Sequence, residues 1–356
     1  MTRLAPTSIA LLLLITACSA ASEEDDGTSG ASALEDGVKP WDAAADDDFS
    51  RWIGALGTAR EAGRCTTLNA CVNDGTINTL HRDSDAQLDI FADCADVPME
   101  LRGYFAQKTG RAFSYVSQIQ GTGPDERYSA GNHPTGWSTA GQSKTMQSLL
   151  TRVSNVVDTG FYRMAPEVED DDTYPIDPSP TSLRPGSVFY DPNGHVLLVY
   201  RVDADGTVRM MDGHPDNSLT FGPLTEGKFA VGGRSQGGGF RNFRPQHWDG
   251  TQFVRATNEE LRDFGDTQYG HGDQYVDWIR QKLGGAAQTP DKQMNAALDQ
   301  ICLDLQDRVR AVAAASAVAQ GPLGDLPPNI YAADGDWETF STPGRDVRLR
   351  ASFRNV

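Results

Sequence analysis

The stretch that decides the fold is residues 183–212, LRPGSVFYDPNGHVLLVYRVDADGTVRMMD. A Pro-Gly turn precedes a short apolar run at 187–190, and a second turn leads into a longer apolar run at 195–202. The sequence DADG at 203–206 separates that run from the next one, at 207–212. Aspartate and glycine favour tight turns, and apolar runs of this length favour strands. We therefore predict three consecutive strands, of which the last two form a hairpin.

The register of this hairpin brings polar side chains together at its open end. If Val202 and Thr207 close the turn, His195 lies opposite His214, and Asp212 is its diagonal neighbour. Side chains alternate between the two faces of a strand, so these three polar side chains share one face. Asp212 can therefore orient the ring of His195, as the third member of a catalytic triad does.

Cys94 is the candidate nucleophile, because an amphipathic helix predicted over residues 94–109 begins at this cysteine. Unpaired amides and the dipole at a helix N-terminus stabilise a thiolate, and they lower the pKa of a thiol from about 8.5 towards neutrality. The acidic neighbours of Cys94 oppose this shift, so a cationic partner is required. His195 is the candidate partner, and a Cys–His pair is an arrangement for nucleophilic catalysis.

Two acidic residues can cap this helix, and the sequence leaves both alternatives open. Proline is tolerated in the first turn of a helix. If Asp93 is the N-cap, Pro98 falls just past that turn. If Asp96 is the N-cap, Cys94 lies just outside the helix. Both alternatives keep the sulfur near the helix N-terminus.

The other cysteines raise the question of disulfides. Cys65 and Cys71 are close in sequence, and we predict a local disulfide between them because exported proteins can form such bonds. Cys94 and Cys302 leave two alternatives. Either they form a second disulfide, or Cys94 stays free to act as a nucleophile.

The N-terminus indicates export. Arg3 precedes an apolar run at 9–17 that is too short for a membrane-spanning helix. The small residues just before Cys18 resemble a bacterial lipobox, which implies cleavage before Cys18 and lipidation of that residue. An ordinary signal peptide is the alternative. Ser19, in place of aspartate, resembles the sorting signal of lipoproteins that reach the outer membrane.

The composition is strongly acidic. The chain has 356 residues, with 31 Lys and Arg against 49 Asp and Glu, and its formal net charge is −18. Such a chain repels phosphate backbones, so we predict no nucleic-acid partner. The glycine-rich residues 232–241 lack the Gly-Lys-Ser/Thr ending of a phosphate-binding loop, and the acidic residues that follow His81 lack the glycine of a calcium loop. We therefore predict no cofactor and no metal.

The C-terminal third is predicted to be mainly helical. A capping-box pattern at 257–260 predicts a helix start, and residues 275–283 predict a second helix. A long helix is predicted from Pro290 to about residue 320. The C-terminus from Leu326 to Val356 is predicted to be irregular.

The order of these motifs resembles that of papain-like enzymes of the NlpC and CHAP type. The shared features are a cysteine at a helix start, the Pro-Gly turn at 185–186, an apolar strand, and a strand that opens with GHV at 194–196. The resemblance implies an α+β fold with a papain-like core. In such a core, a helix bearing Cys94 packs on an antiparallel sheet bearing His195 and Asp212.

The resemblance also implies catalytic roles. Cys94 would be the nucleophile, His195 the proton carrier and Asp212 the third member of the triad, with His214 as the alternative third member. Gln87, seven residues before Cys94, is a possible oxyanion donor, because papain-like enzymes use a glutamine in this way. The order of the three catalytic residues is also similar to that of transglutaminase-like proteins.

These observations predict four segments in a lipid-anchored protein. Residues 1–18 form the signal peptide and lipobox, 19–46 a disordered acidic tether, 47–250 the papain-like domain and 251–356 a helical extension. We expect a cysteine peptidase or amidase of the cell envelope that acts on peptides, including those of peptidoglycan. The alternatives are a catalytically inactive scaffold that binds an envelope partner, with Cys94 bridged, and a transglutaminase-like acyl transferase.

Overall fold

The centre of the molecule is a six-stranded antiparallel sheet. The computed structural model describes residues 37–226, 228–229, 231–318 and 342–354, and within these ranges the chain has a mixed α+β fold. The strands lie in the spatial order β3 (Thr173–Pro175), β8 (Gly239–Phe243), β4 (Val188–Asp191), β5 (His195–Val202), β6 (Val208–Gly213) and β7 (Leu219–Pro223).

Helices and two small hairpins surround this sheet. The hairpins are β1 (Ser114–Gln120) with β2 (His133–Thr139) and β9 (Gln246–Trp248) with β10 (Phe253–Arg255). The α-helices are α1 (Ala43–Glu61), α2 (Leu68–Asn73), α3 (Asp96–Thr109), α4 (Met146–Ser154), α5 (Tyr275–Lys282), α6 (Pro290–Val318) and α7 (Thr342–Arg354).

Strands β5 and β6 form the predicted hairpin, with one correction to its turn. Thr207 belongs to the turn, so Val202 pairs with Val208 and not with Thr207 as predicted. A bulge after Val199 shifts the register back by one residue. The predicted pairing therefore holds where Val199 lies opposite Met210 and Leu198 opposite Met211, which is the last pair of this ladder.

Each face of the sheet carries a hydrophobic core. Helices α1 and α3 cover the first face, where they pack against Val196, Leu198 and Tyr200 of β5. The approach of α1 is close enough to require a glycine, because a Cβ atom at Gly57 would lie 2.2 Å from Cβ of Tyr200. The second face carries side chains of β4, β5, β6 and β8, and α5 covers it.

The folded body begins earlier than predicted. Trp41 is buried, and α1 starts at Ala43 with Asp42 as its N-cap. These residues fall inside the segment predicted as a disordered tether, because Trp41 finds a stacking partner in Phe105 that the local composition does not reveal. Residues 1–36, with the predicted export signal and Cys18, lie outside the described residues. Over the described ranges, no helix is long and apolar enough to span a membrane.

The C-terminal helices are partly as predicted. Helices α5 and α6 have the predicted positions. The predicted helix at 257–260 is only a short 3-10 helix, because the chain turns so that Phe264 can bridge to Ile176. Contrary to the prediction of an irregular C-terminus, residues 342–354 form α7. Within it Asp346 pairs with Arg308 of α6 at 2.5 Å.

A fully buried ion triad holds β8 to the loop before β3. Arg241 Nη2 lies 2.7 Å from Asp171 Oδ2, and Arg244 Nε lies 2.9 Å from Asp171 Oδ1. All three side chains have no solvent exposure. Removal of one partner would leave two charges buried without compensation, which is far more costly than the loss of a surface pair.

We predict that Asp171→Ala lowers the free energy of unfolding by about 3–5 kcal/mol. Urea denaturation followed by circular dichroism measures this change. The matched control is Glu167→Ala, which removes the exposed partner of Arg234 and should cost less than about 1 kcal/mol. Equal costs for the two variants would contradict the prediction.

Candidate active site

A buried hydrogen bond joins His195 to Asp212. His195 Nε2 lies 2.9 Å from Asp212 Oδ2, and each residue is only 6% exposed. Strand β5 begins at His195, and β6 ends one residue after Asp212, so the open end of the hairpin positions both side chains. This is the contact that the predicted register requires.

His214 and Thr220 complete a cluster around the Asp212 carboxylate. His214 Nε2 lies 3.1 Å from Asp212 Oδ2, and the Thr220 hydroxyl donates to Asp212 Oδ1 at 2.6 Å. Thr220 lies directly opposite Asp212 on β7. Sequence reasoning missed Thr220 because it assigned no strand after His214. The alternating run LTFG at 219–222 is the signal that could have revealed that strand.

The charge of Asp212 fixes the tautomer of His195. Burial alone would raise the pKa of Asp212, but the rings of His214 and His195 hold this pKa well below its usual range. The carboxylate is therefore ionised and can only accept hydrogen bonds. His195 must then donate from Nε2, which leaves Nδ1 as the basic nitrogen of a neutral ring. A general base needs such a free nitrogen.

Both histidine rings are neutral near pH 7. Burial lowers the pKa of His195, and the charge of Arg348 lowers it further against the opposing effect of Asp212. Burial and the charge of Arg345 lower the pKa of His214 to about 4. A neutral ring can accept a proton, but it does not supply the positive charge that the predicted thiolate requires.

Cys94 lies two residues before helix α3, which starts at Asp96. Neither predicted N-cap is correct, because Ala95 is the N-cap and makes no side-chain cap, but Cys94 does lie just outside the helix. The Asp93 carboxylate accepts hydrogen bonds from the amides of Ala95 at 2.8 Å and Asp96 at 3.2 Å. Pro98 then falls within the first turn, where proline is tolerated.

The predicted low pKa of Cys94 is wrong. Cys94 is half-buried, and its desolvation raises the pKa of the thiol well above the ordinary value, with a further increase from the charge of Asp93. A hydrogen bond from the backbone amide of Val196 to the sulfur acts in the opposite direction but does not reverse the shift. The thiol is therefore protonated at neutral pH in this conformation.

The structure brings Cys94 to the start of β5 but does not pair it with His195. Val196 belongs to the first core, as does α3, whereas Leu197 belongs to the second. Because side chains alternate along a strand, His195 points to the face of Leu197, opposite α3. Among the described residues, no hydrogen bond joins the sulfur to the ring. The two groups therefore lie at the same strand end, with His195 as the first residue of β5 and the Cys94 sulfur at the amide of the next residue.

Three buried carboxyl groups surround the start of α3. Burial and the charge of Asp93 raise the pKa of Asp96 to about 9. Burial also raises the pKa of Asp93, and burial with the charge of Asp96 raises that of Glu100 well above its usual value. Asp96 is therefore protonated at neutral pH and can donate to Asp93. This cluster keeps negative charge beside Cys94 low without any cation.

The C-terminal helices close the cavity beside His195. The cavity has a volume of about 30 Å³, far smaller than the roughly 300 Å³ or more of ordinary ligand sites. Besides the histidine cluster, its lining includes Asp304 and Asp307 of α6 and Arg345 and Arg348 of α7. Sequence reasoning did not connect this part of the chain with the site.

The remaining predicted site residues lie elsewhere. Gln87 is exposed and lines a separate surface depression with Asn69 and His81, so its predicted role as an oxyanion donor is not supported. The predicted Cys65–Cys71 disulfide is confirmed, with the two Cα atoms 5.2 Å apart. Cys94 and Cys302 are both free, so the alternative disulfide between them is not formed.

Neither metal geometry nor similarity to known proteins identifies the site. Over the ranges that the structure describes, no group of three or more His, Cys, Asp or Glu residues has the geometry to hold a metal ion. Comparison of the chain with family models, with curated proteins and with solved structures finds no match.

We predict that Asp96→Asn stabilises the protein at high pH and not at low pH. The folded-state pKa of about 9 lies far above the unfolded value, so the protonated carboxyl stabilises the fold fully below about pH 4. This contribution is lost as pH rises towards 9, whereas asparagine stays neutral and keeps its donor. The free energy of unfolding at pH 8 should rise by at least about 1.4 kcal/mol, one pKa unit.

Urea denaturation at about pH 4 and pH 8 measures this difference. The control is Asp89→Asn, an exposed residue in the loop before α3, for which no such gain is expected. A stability difference between wild type and Asp96→Asn that does not change with pH would contradict the argument.

Proposed function

We propose that this chain is a cysteine hydrolase of the cell envelope that cleaves amide bonds. Cys94 acts as the nucleophile, His195 as the base and Asp212 as the group that orients the base. The observation that carries the proposal is the buried His195–Asp212 hydrogen bond, which leaves Nδ1 basic at the strand end where the Val196 amide meets the Cys94 sulfur.

The chemistry requires the thiol and the ring to meet. His195 Nδ1 takes the proton of the Cys94 thiol while the sulfur attacks the substrate carbonyl, because both groups are neutral at rest. The carbon–nitrogen bond then breaks, and the imidazolium returns its proton to the leaving amine. Water hydrolyses the resulting thioester and restores the thiol. The sulfur and Nδ1 must first come within hydrogen-bond distance, because no hydrogen bond joins them among the described residues.

The substrate proposed for this reaction is a peptide, including the stem peptides of peptidoglycan. Its support is the export signal and lipobox indicated by residues 1–18, together with the resemblance to papain-like enzymes. Transglutaminase-like transfer would use the same thioester, with an amine in place of water.

A second candidate function is a catalytically inactive scaffold that binds an envelope partner. The observations that favour it are the neutral thiol and the absence, within the described residues, of a hydrogen bond between Cys94 and His195. The version of this candidate with a Cys94–Cys302 disulfide does not agree with the structure, because both thiols are free.

We predict that the purified protein cleaves peptidoglycan peptides and that Cys94→Ser and His195→Gln each lower the rate by at least about 10³-fold. Loss of the nucleophile or its base removes the covalent route. Cys302→Ser, which changes the other free thiol, should keep the wild-type rate. Chromatography of the products with and without added glycine ethyl ester measures both hydrolysis and transfer.

The outcomes of this assay separate the candidates. New free carboxyl ends support hydrolysis, and amine adducts support transfer. If neither the wild-type protein nor variants that release the C-terminal helices from the site cleave the substrates, and all retain the circular dichroism spectrum of the native fold, the scaffold is favoured over hydrolysis and transfer. Equal activity of wild type and Cys94→Ser would exclude Cys94 as the nucleophile.

We also predict that the chain is lipidated at Cys18. In a Gram-negative host, the wild-type protein should incorporate labelled palmitate and fractionate with membranes. Cys18→Ser should lose the label and leave the membrane fraction, because several acyl chains provide the anchor. Cys302→Ser should keep both properties. Incorporation of palmitate by Cys18→Ser would contradict the prediction.

A further inference from the structure

We propose that helices α6 and α7 form a removable cap that closes the His195 site. The proposal concerns the regulation of that site, and its meaning for catalysis rests on the proposed function. Its structural basis is that the two helices contribute four charged side chains to the walls of the cavity. These two helices of the same chain therefore close the cavity that His195, Asp212 and His214 line.

The cap covers the histidine cluster itself. His195 and Asp212 are each 6% exposed and His214 is 3% exposed, although all three lie at the open end of a hairpin. The cavity of about 30 Å³ that remains beside them cannot admit a peptide. A substrate can reach His195 only if part of this wall moves, and α6 and α7 supply four of its lining residues, beside Lys228 and Phe229 of the loop after β7.

Two partly buried ion pairs attach the cap to the loops beside the sheet. Lys228 Nζ lies 2.8 Å from Asp304 Oδ1 of α6, and Arg345 Nη2 of α7 lies 3.1 Å from Asp216 Oδ2. Arg345 also donates to the Ser218 hydroxyl at 2.9 Å. Lys228 and Asp216 belong to the loops that flank β7, so the cap is held at both ends of this edge strand.

The two helices also hold each other, which lets them move as one unit. Arg308 pairs with Asp346 across the interface, and the Ser352 hydroxyl donates to Asp304 Oδ2 at 3.1 Å. Asp304 of α6 therefore contacts both Lys228, in the loop after β7, and Ser352 of α7.

Apolar packing of α6 against the body is limited. Ile301 and Ala311 are its buried apolar residues among those described, whereas Leu298, Leu305 and Val309 are exposed. Burial of apolar area is the main source of stable association, and a helix that buries little of it relies on its polar contacts. Weakening of the ion pairs should therefore release the cap without unfolding the sheet.

The test uses the full-length chain and diethyl pyrocarbonate, which modifies accessible neutral imidazole. Peptide mass spectrometry gives the modification rate of each histidine in the same molecule. His133 and His247 are exposed and serve as internal references. In the wild-type protein, His195 and His214 should react at least tenfold more slowly than these references.

Opening variants should release this protection. Lys228→Glu places a second negative charge opposite Asp304. It should raise the modification rate of His195 at least tenfold, while the rates of His133 and His247 stay constant. The double variant Lys228→Glu with Asp304→Lys restores opposite charges and should return the rate towards the wild-type value. Asp216→Asn, which weakens the other attachment, should also raise it. Arg350→Glu changes an exposed charge on α7 and should leave the modification rate of His195 unchanged.

The results decide between a cap and a fixed wall. Wild-type His195 that reacts as fast as His247 would overturn the proposal. Unchanged His195 protection in both Lys228→Glu and Asp216→Asn would also overturn it, provided that circular dichroism shows native folds.

A peptidase assay on the same variants separates the two proposals. Opening without any hydrolysis supports the cap and contradicts the proposed function, whereas hydrolysis at the same rate in closed and opened variants contradicts the cap.

Discussion

The carboxylate of Asp212 is the group on which the candidate site depends. It is buried, and a buried charge is tolerated only when hydrogen bonds replace its lost hydration. His195 on β5, Thr220 on β7 and His214 just after β6 meet that requirement. In return, the ionised carboxylate fixes the Nε2 proton of His195 and leaves Nδ1 basic. The tautomer of the His195 imidazole thus follows from the hydrogen bonds that compensate the buried charge of Asp212.

In the conformation described, Cys94 and His195 do not form a thiolate–imidazolium pair. The thiol of Cys94 is protonated, the rings are neutral and Asp96 at the start of α3 is protonated, because each group is desolvated. The sulfur and the imidazole lie at the same strand end without a hydrogen bond between them in the described part of the chain, and two C-terminal helices close the cavity beside the imidazole. A cysteine hydrolase held closed and a scaffold that never opens both agree with this arrangement, and they differ only in whether these parts can move.

Sequence reasoning located the hairpin and its polar end because strand alternation is strictly local. The pair His195 and Asp212 followed from spacing alone, and the bulge after Val199 corrected a turn that was predicted one residue too short. The ionisation of Cys94 was predicted wrongly, because the helix start is visible in the sequence and the desolvation around it is not. Thr220 and the cap helices come from elements distant in the chain, and single-sequence patterns carry no information about which distant elements meet.

The central claim is that Asp212 holds His195 as the Nε2–H tautomer with a free Nδ1. Long-range ¹H–¹⁵N correlation spectra of the ¹⁵N-labelled protein, with His195 assigned through His195→Gln, measure this directly. The account predicts a protonated Nε2 and an unprotonated Nδ1 at neutral pH, and loss of this single-tautomer signature in Asp212→Asn. A His195 ring that carries its proton on Nδ1, or that averages between both tautomers in the wild-type protein, would contradict it.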